Sequence, residues 1–138
     1  MSIVLVSGSR GFTDEAALAA ALADLRPTVV YVGDARGCDA LAARWCLGAE
    51  VEPVIFEANW LLGKRGGPVR NAAMVAAWAA HQPNEPHHAV FGWVAGAPCR
   101  GSVDCWKRIN GACRASVLHL AAVPASVSGD CVFQTKLF

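Results

Sequence analysis

An α/β fold is what this sequence predicts: a five-stranded parallel sheet in the order 3-2-1-4-5, with helices on both faces. Three observations lead there. Five short apolar runs alternate with four helix-like segments, the pattern of right-handed βαβ crossovers. The runs are unbroken, as in Ile3-Val4-Leu5-Val6 and Thr28-Val29-Val30-Tyr31-Val32, which suits strands buried on both faces. A hydrophobic content of 54% against 17% charged residues fits a sheet covered twice.

The elements follow in order. The first strand is expected over 2–7 and the first helix over 14–25. Thr13 is the N-cap candidate of that helix, with Asp14 and Glu15 in its first turn and Leu18, Leu22 and Leu25 on one face. Arg26-Pro27 ends it, because the residue before proline is driven out of the helical region. A second strand spans 28–33, and a second helix 39–47 starts near Asp39, with Leu41 and Trp45 on one face and Gly48 as its C-cap. The third strand covers 53–57, with Pro53 tolerated at its first position. The third helix covers 68–80, with Pro68 suited to its first position. The fourth strand spans 88–94. The fourth helix spans 102–110, capped by Ser102 and stopped by Gly111, and the fifth strand is 116–120. Residues 1–120 form one ligand-binding domain in this reading. Residues 121–138 carry Pro124, Ser126, Ser128 and Gly129 without periodicity and read as a C-terminal tail.

Composition narrows the function classes. At 138 residues the chain is one domain by size, able to bury a core without staples. A net charge of +1 makes no electrostatic case for nucleic acid or for an anionic membrane. Gly, Asp and Arg break every apolar run below spanning length. The amino terminus enters a strand without a basic leader, so the expected location is cytoplasmic. Six cysteines contain no C-x-x-C pair and read as reduced, space-filling thiols; no metal site is expected. His87-His88 reads as the end of a solvated loop running into a strand. Trp45, Met74, Trp78 and Trp106 fall at helical spacings and read as packing.

Glycine–polar clusters follow the apolar runs and open the helices. They are Ser7-Gly8-Ser9-Arg10-Gly11, Gly33-Asp34-Ala35-Arg36-Gly37-Cys38-Asp39, Gly63-Lys64-Arg65-Gly66-Gly67-Pro68-Val69-Arg70-Asn71, and Arg100-Gly101-Ser102. In a parallel sheet all of them meet at the carboxyl edge, where backbone N–H groups and helix N-termini bind anions, most often phosphate. The candidate ligand-binding residues are Gly8, Ser9, Arg10, Gly33, Asp34, Arg36, Gly37, Asp39, Trp60, Lys64, Gly66, Gly67, Arg70, Asn71, Gly101 and Ser102. Arg10, Arg36, Arg70 and Arg100 offer planar guanidinium forks to phosphate or carboxylate. Asp34 is placed to bond a ribose hydroxyl or to orient Arg36, whereas Asp39 reads equally well as a helix-start residue. Trp60 reads either as core or as a stacking platform for a base.

Val6-Ser7-Gly8-Ser9-Arg10 with Phe12-Thr13-Asp14, then Gly33 through Ala42, then Asn59-Trp60 with Gly63-Lys64 and Gly67 through Met74, resemble the YspA/YpsA-like branch of the SLOG superfamily. The resemblance covers about residues 1–120 and rests on three motifs in the family order. It implies a Rossmann-like fold and a nucleotide, NAD or ADP-ribose-derived ligand. Some members of the superfamily cleave an N-glycosidic bond, as the LOG-type phosphoribohydrolases do, and others sense. The LOG-type fourth motif is Pro-Gly-Gly-x-Gly-Thr-x-x-Glu. Here the stretch reads Ala97-Pro98-Cys99-Arg100-Gly101-Ser102-Val103-Asp104-Cys105, with Cys105 where the catalytic glutamate would fall.

The leading expectation is therefore a small-molecule binding module, a sensor or sequestering protein for a nucleotide or NAD-derived ligand, with no other cofactor assigned. The alternative is an N-glycosidic-bond hydrolase, with Arg70, Asp34 and Asp104 as catalytic candidates. An interaction protein for single-stranded DNA ranks last, since no basic, aromatic-lined stretch is present. A homo-oligomer is compatible with the sequence.

Overall fold

The computed structural model describes residues 2–94, 100–112, 116–120 and 133–136. Its elements run β1 (Ser2–Gly8), α1 (Glu15–Leu25), β2 (Pro27–Gly33), α2 (Cys38–Ala49), β3 (Glu52–Phe56), a 3-10 segment (Trp60–Arg65), α3 (Gly66–Ala80), β4 (His87–Gly92), α4 (Arg100–Ala112), β5 (Ser116–Leu120) and β6 (Phe133–Lys136). The strands pair in the order β3-β2-β1-β4-β5-β6, and every pairing is parallel. The order 3-2-1-4-5 expected from the sequence is thus present, extended by a sixth strand. That strand lies in the segment read as a tail. It pairs Phe133–Lys136 with Val117–Leu120, and backbone pairing at a sheet edge leaves little side-chain pattern to detect.

Alternate residues of the central strands feed two cores. Ile3 and Leu5 of β1, Val29 and Tyr31 of β2, and Ala89 and Phe91 of β4 face Met74, Val75 and Trp78 of α3 and Trp106 and Ile109 of α4. Val4, Val6, Val30, Val32 and Val90 face Leu18 and Leu22 of α1 and Ala42 and Cys46 of α2. Strand β1 is buried along its whole length, which explains its uninterrupted apolar run. The first core is aromatic: Phe91 and Trp93 stack at 5.5 Å, with Trp106 tilted against both. Cys38, Cys46 and Cys105 are buried free thiols, and burial raises the pKa of each. Cys99, Cys113 and Cys131 lie outside the described residues. Among the described residues no helix is long and apolar enough to cross a membrane.

Several helix ends differ from expectation. Asp14, not Thr13, caps α1, its Oδ1 accepting from Ala17 N at 3.1 Å. Gly48 lies inside α2, and Glu50 takes the left-handed C-cap position at φ 56°. Pro68 is the third residue of α3, still in the first turn, where its missing N–H costs no helical hydrogen bond. Ser102 sits within α4 rather than before it, and Gly111 lies inside that helix. His87 begins β4 and is buried. The remaining strand ends shift by one or two residues, and β5 spans 116–120 as expected.

Candidate functional site

The site begins where β1 and β4 end side by side. These neighbours mark the point at which the strand order reverses, the usual position of a crevice in open α/β sheets. A Cβ at Gly8 would meet the Gly92 carbonyl at 2.5 Å and the Cys38 Cβ at 2.6 Å, so only glycine lets β1, β4 and the start of α2 converge. Beyond it, Ser9 N donates to the Gly92 carbonyl at 2.8 Å and Cys38 N donates to the Ser9 carbonyl at 3.3 Å. These bonds turn the chain so that Arg10 stands exposed at the sheet edge. From the other side, the Ser102 hydroxyl donates to the Gly8 carbonyl at 2.7 Å and Ser7 Oγ donates to Ser102 Oγ at 3.1 Å, which docks the first turn of α4 onto β1.

Arg70 is the most constrained of the cations. Its Nη1 donates to Asp34 Oδ1 at 2.9 Å, and its Nε donates to Asn71 Oδ1 at 2.9 Å. Asp34 is itself held by Ala58 N at 3.3 Å. Asn71 Nδ2 donates onward to the Gly101 carbonyl at 2.9 Å and to Asp104 Oδ2 at 3.1 Å, and Arg108 Nε donates to the same Asp104 oxygen at 2.9 Å. One run of bonds thus links the end of β2, the start of α3 and the start of α4. It holds the guanidinium through Nε and Nη1. Of the two roles expected for Asp34, a bond to a ribose hydroxyl or the orienting of Arg36, the second is corrected here: the arginine it bonds is Arg70.

Asp39 sits in the first turn of α2 and is only 6% exposed. Its Oδ2 accepts from Ala35 N at 3.2 Å, while its Oδ1 has no hydrogen-bond partner among the described residues. It does not cap α2, since Gly37 holds that position. Asp39 and Arg70 flank Gly33 closely enough that an added Cβ would strike Arg70 Nη1 and lie 2.7 Å from Asp39 Oδ2. Burial pushes the Asp39 carboxyl up to about 6, against the Ala35 N–H and the Arg70 cation, which pull it down. A folded-state value above the ordinary 3.8 means that ionised Asp39 opposes folding at neutral pH, and the opposition fades as pH falls through 6 towards 3.8. Asp39→Asn is therefore expected to stabilise the ligand-free protein by about 1–3 kcal/mol at pH 7.5 and by much less at pH 4.5. Urea unfolding at the two pH values measures the difference.

These groups enclose a cleft of about 550 Å³. Its walls carry Ser7, Gly8 and Arg10 from the end of β1; Ala35 and Asp39 from the start of α2; Trp60, Lys64, Gly67, Pro68, Arg70 and Asn71 around the start of α3; and Arg100, Gly101, Ser102 and Asp104 from α4. A smaller hollow of about 220 Å³ shares Arg10, Ala35, Trp60 and Arg70 and adds Asp34 and Arg36. Four cations face two carboxylates in the main cleft, and Trp60, 56% exposed, stands at its wall rather than in the core.

Most of the residues expected at the site are therefore together, but four stand behind it. Ser9 is buried, and its hydroxyl has no partner among the described residues. Gly33 lies beneath Arg70 and Asp39, Gly37 packs against the Arg10 and Ser9 carbonyls, and Gly66 packs against Asn59 and Trp60. Cys105, at the position of the family glutamate, is fully buried in the aromatic core, whereas Asp104 beside it lines the cleft. Sequence reasoning missed Ser7, Ala35 and Pro68 as cleft residues. The signal for Ser7 is the polar break it makes after the apolar run Ile3-Val4-Leu5-Val6.

A family model described as "YspA, cpYpsA-related SLOG family" matches residues 2–63, the part that carries β1, α1, β2, α2 and β3. The chain belongs to this SLOG family. It is also similar to the gene 61 protein of Mycobacterium phage D29, with 40% identity over 90 residues, covering 57% of this chain and 72% of the phage protein. No solved structure gives a significant match.

Proposed function

We propose that this protein binds a phosphate-bearing nucleotide or NAD/ADP-ribose-derived molecule in the cleft at the ends of β1 and β4, as a sensor or sequestering module. The observation that carries this reading is the convergence of Arg10, Lys64, Arg70 and Arg100 with the exposed Trp60 on one cleft. Guanidinium groups suit phosphate oxygens, the first turns of α3 and α4 add oriented backbone dipoles, and an indole face suits a base.

Chemistry at a glycosidic bond needs more. Guanidinium stays protonated and cannot act as a base, so a carboxylate must face the developing positive charge on the sugar. Asp34 is paired with Arg70, and Asp104 is held by Asn71 and Arg108. Asp39 is nearly closed to water, with Oδ2 held by Ala35. Cys105 supplies no carboxylate. Family membership is consistent with binding and with cleavage alike, and the commitments of these side chains favour binding.

Calorimetric titration with AMP, ADP-ribose and NAD tests the reading, with chromatography of the same mixtures for released adenine or nicotinamide. Saturable binding of at least one ligand without release is expected. Binding of none removes the proposal. Robust turnover abolished by Asp104→Asn makes the protein an N-glycosidase instead.

A further inference from the structure

Resting on the nucleotide reading of this cleft, we propose that Asp39 Oδ1 accepts a hydrogen bond from a sugar hydroxyl of the ligand, so that the site selects a phosphorylated pentose with its hydroxyls intact. Two observations meet at this atom. Asp39 lines the cleft, and its Oδ1 is buried without a partner among the described residues. A buried acceptor left unpaired is costly, and native proteins retain few of them without a functional reason.

The neighbours define what can pair with it. The groups facing Asp39 are the Ala35 N–H and Asp34 from the segment between β2 and α2, Arg70 from α3 and Arg10 from the loop after β1. Arg70, across Gly33, disfavours a cationic donor, and the Asp39 carboxylate disfavours a second anion. What remains is a neutral group that can donate to Oδ1 and accept from a guanidinium. A hydroxyl does both through a single atom. Asp34, the carboxylate that sequence position favours for a ribose hydroxyl, is already bonded to Arg70 and Ala58. The phosphate then goes to the cations and the sugar to Asp39, which divides the cleft by chemistry.

Calorimetry with AMP, 2′-deoxy-AMP, 3′-deoxy-AMP and ribose 5-phosphate, on the wild-type protein and on Asp39→Ala, tests the division. In the wild type, loss of one of the two hydroxyls is expected to weaken binding about tenfold. In Asp39→Ala the same pair of ligands should differ by about twofold or less. Asp39→Asn keeps the side-chain volume, and reduced discrimination there gives the same answer if the alanine variant fails to fold. Equal wild-type affinity for AMP and both deoxy analogues overturns the proposal while leaving the nucleotide reading intact. So does discrimination that persists unchanged in both variants. Tight AMP with undetectable ribose 5-phosphate and no effect of either hydroxyl would assign Asp39 to the base and overturn it too. If neither AMP nor ribose 5-phosphate binds, this proposal fails, while the titrations with ADP-ribose and NAD decide the nucleotide reading separately.

Discussion

Trp78→Ala is expected to destabilise the protein by about 3–5 kcal/mol, a large share of the 5–15 kcal/mol that holds an ordinary domain folded. Trp78 is fully buried where α3 lies on the sheet, packed with Ile3, Leu5, Tyr31 and Phe91 in one apolar cluster. Its Nε1 donates to the Ile3 carbonyl at 3.2 Å, beside the register shift between Ser2 and Ile3 in the pairing of β1 with β2. Its ring meets His87 edge-on at 5.3 Å. Alanine would remove the ring contacts, open a cavity and leave the Ile3 carbonyl without this donor. Trp78→Phe keeps most of the volume and loses the N–H, so about 1–2 kcal/mol is expected for it. Urea unfolding with an unchanged m-value reads both, and a loss under about 1 kcal/mol for alanine would show that α3 is not anchored here. Since α3 also carries Arg70 and Asn71, the variant should bind ligand less well near its unfolding midpoint.

The central strands were legible because burial on both faces leaves no room for polar residues, so Ile3 to Val6 and Val29 to Val32 advertise themselves. Helix ends were less so, since tertiary partners decided them. Ser102 looks like a cap by residue type, yet its hydroxyl is taken by the Gly8 carbonyl from a strand 94 residues away. Gly48 is the favoured stop for α2, but the helix runs on until Glu50 adopts the left-handed conformation. For the site, the glycine–polar clusters showed which segments meet, because a parallel sheet brings every strand's carboxyl end to one edge. Which charges pair was not legible. That Asp34 reaches Arg70, 36 positions away, and leaves Arg36 to the neighbouring hollow depends on how α3 crosses the sheet. The open valence of Asp39 is likewise a property of packing, since an aspartate early in a helix reads first as a capping residue.

Arg70→Ala is expected to weaken ligand binding at least tenfold and up to about a hundredfold, the loss of one charge-assisted contact of about 1.5–3 kcal/mol. Two effects should add. The guanidinium is held by Asp34 and Asn71 before any ligand arrives, so little side-chain entropy remains to be lost on binding. Its removal also leaves Asp34 without its cation on the wall of the adjoining hollow, where the carboxylate would repel a phosphate. The double variant Asp34→Asn/Arg70→Ala separates them. Partial recovery of affinity relative to Arg70→Ala would measure the repulsion, and the remaining deficit would measure the lost contact. Arg70→Lys restores the charge without the fork and should recover only part of the loss, because an ammonium cannot hold Asp34, Asn71 and a phosphate oxygen in one plane. If Arg70→Ala binds as tightly as wild type, the phosphate rests on Arg10, Lys64 and Arg100, and the bond network around Arg70 serves to dock α3 against α4.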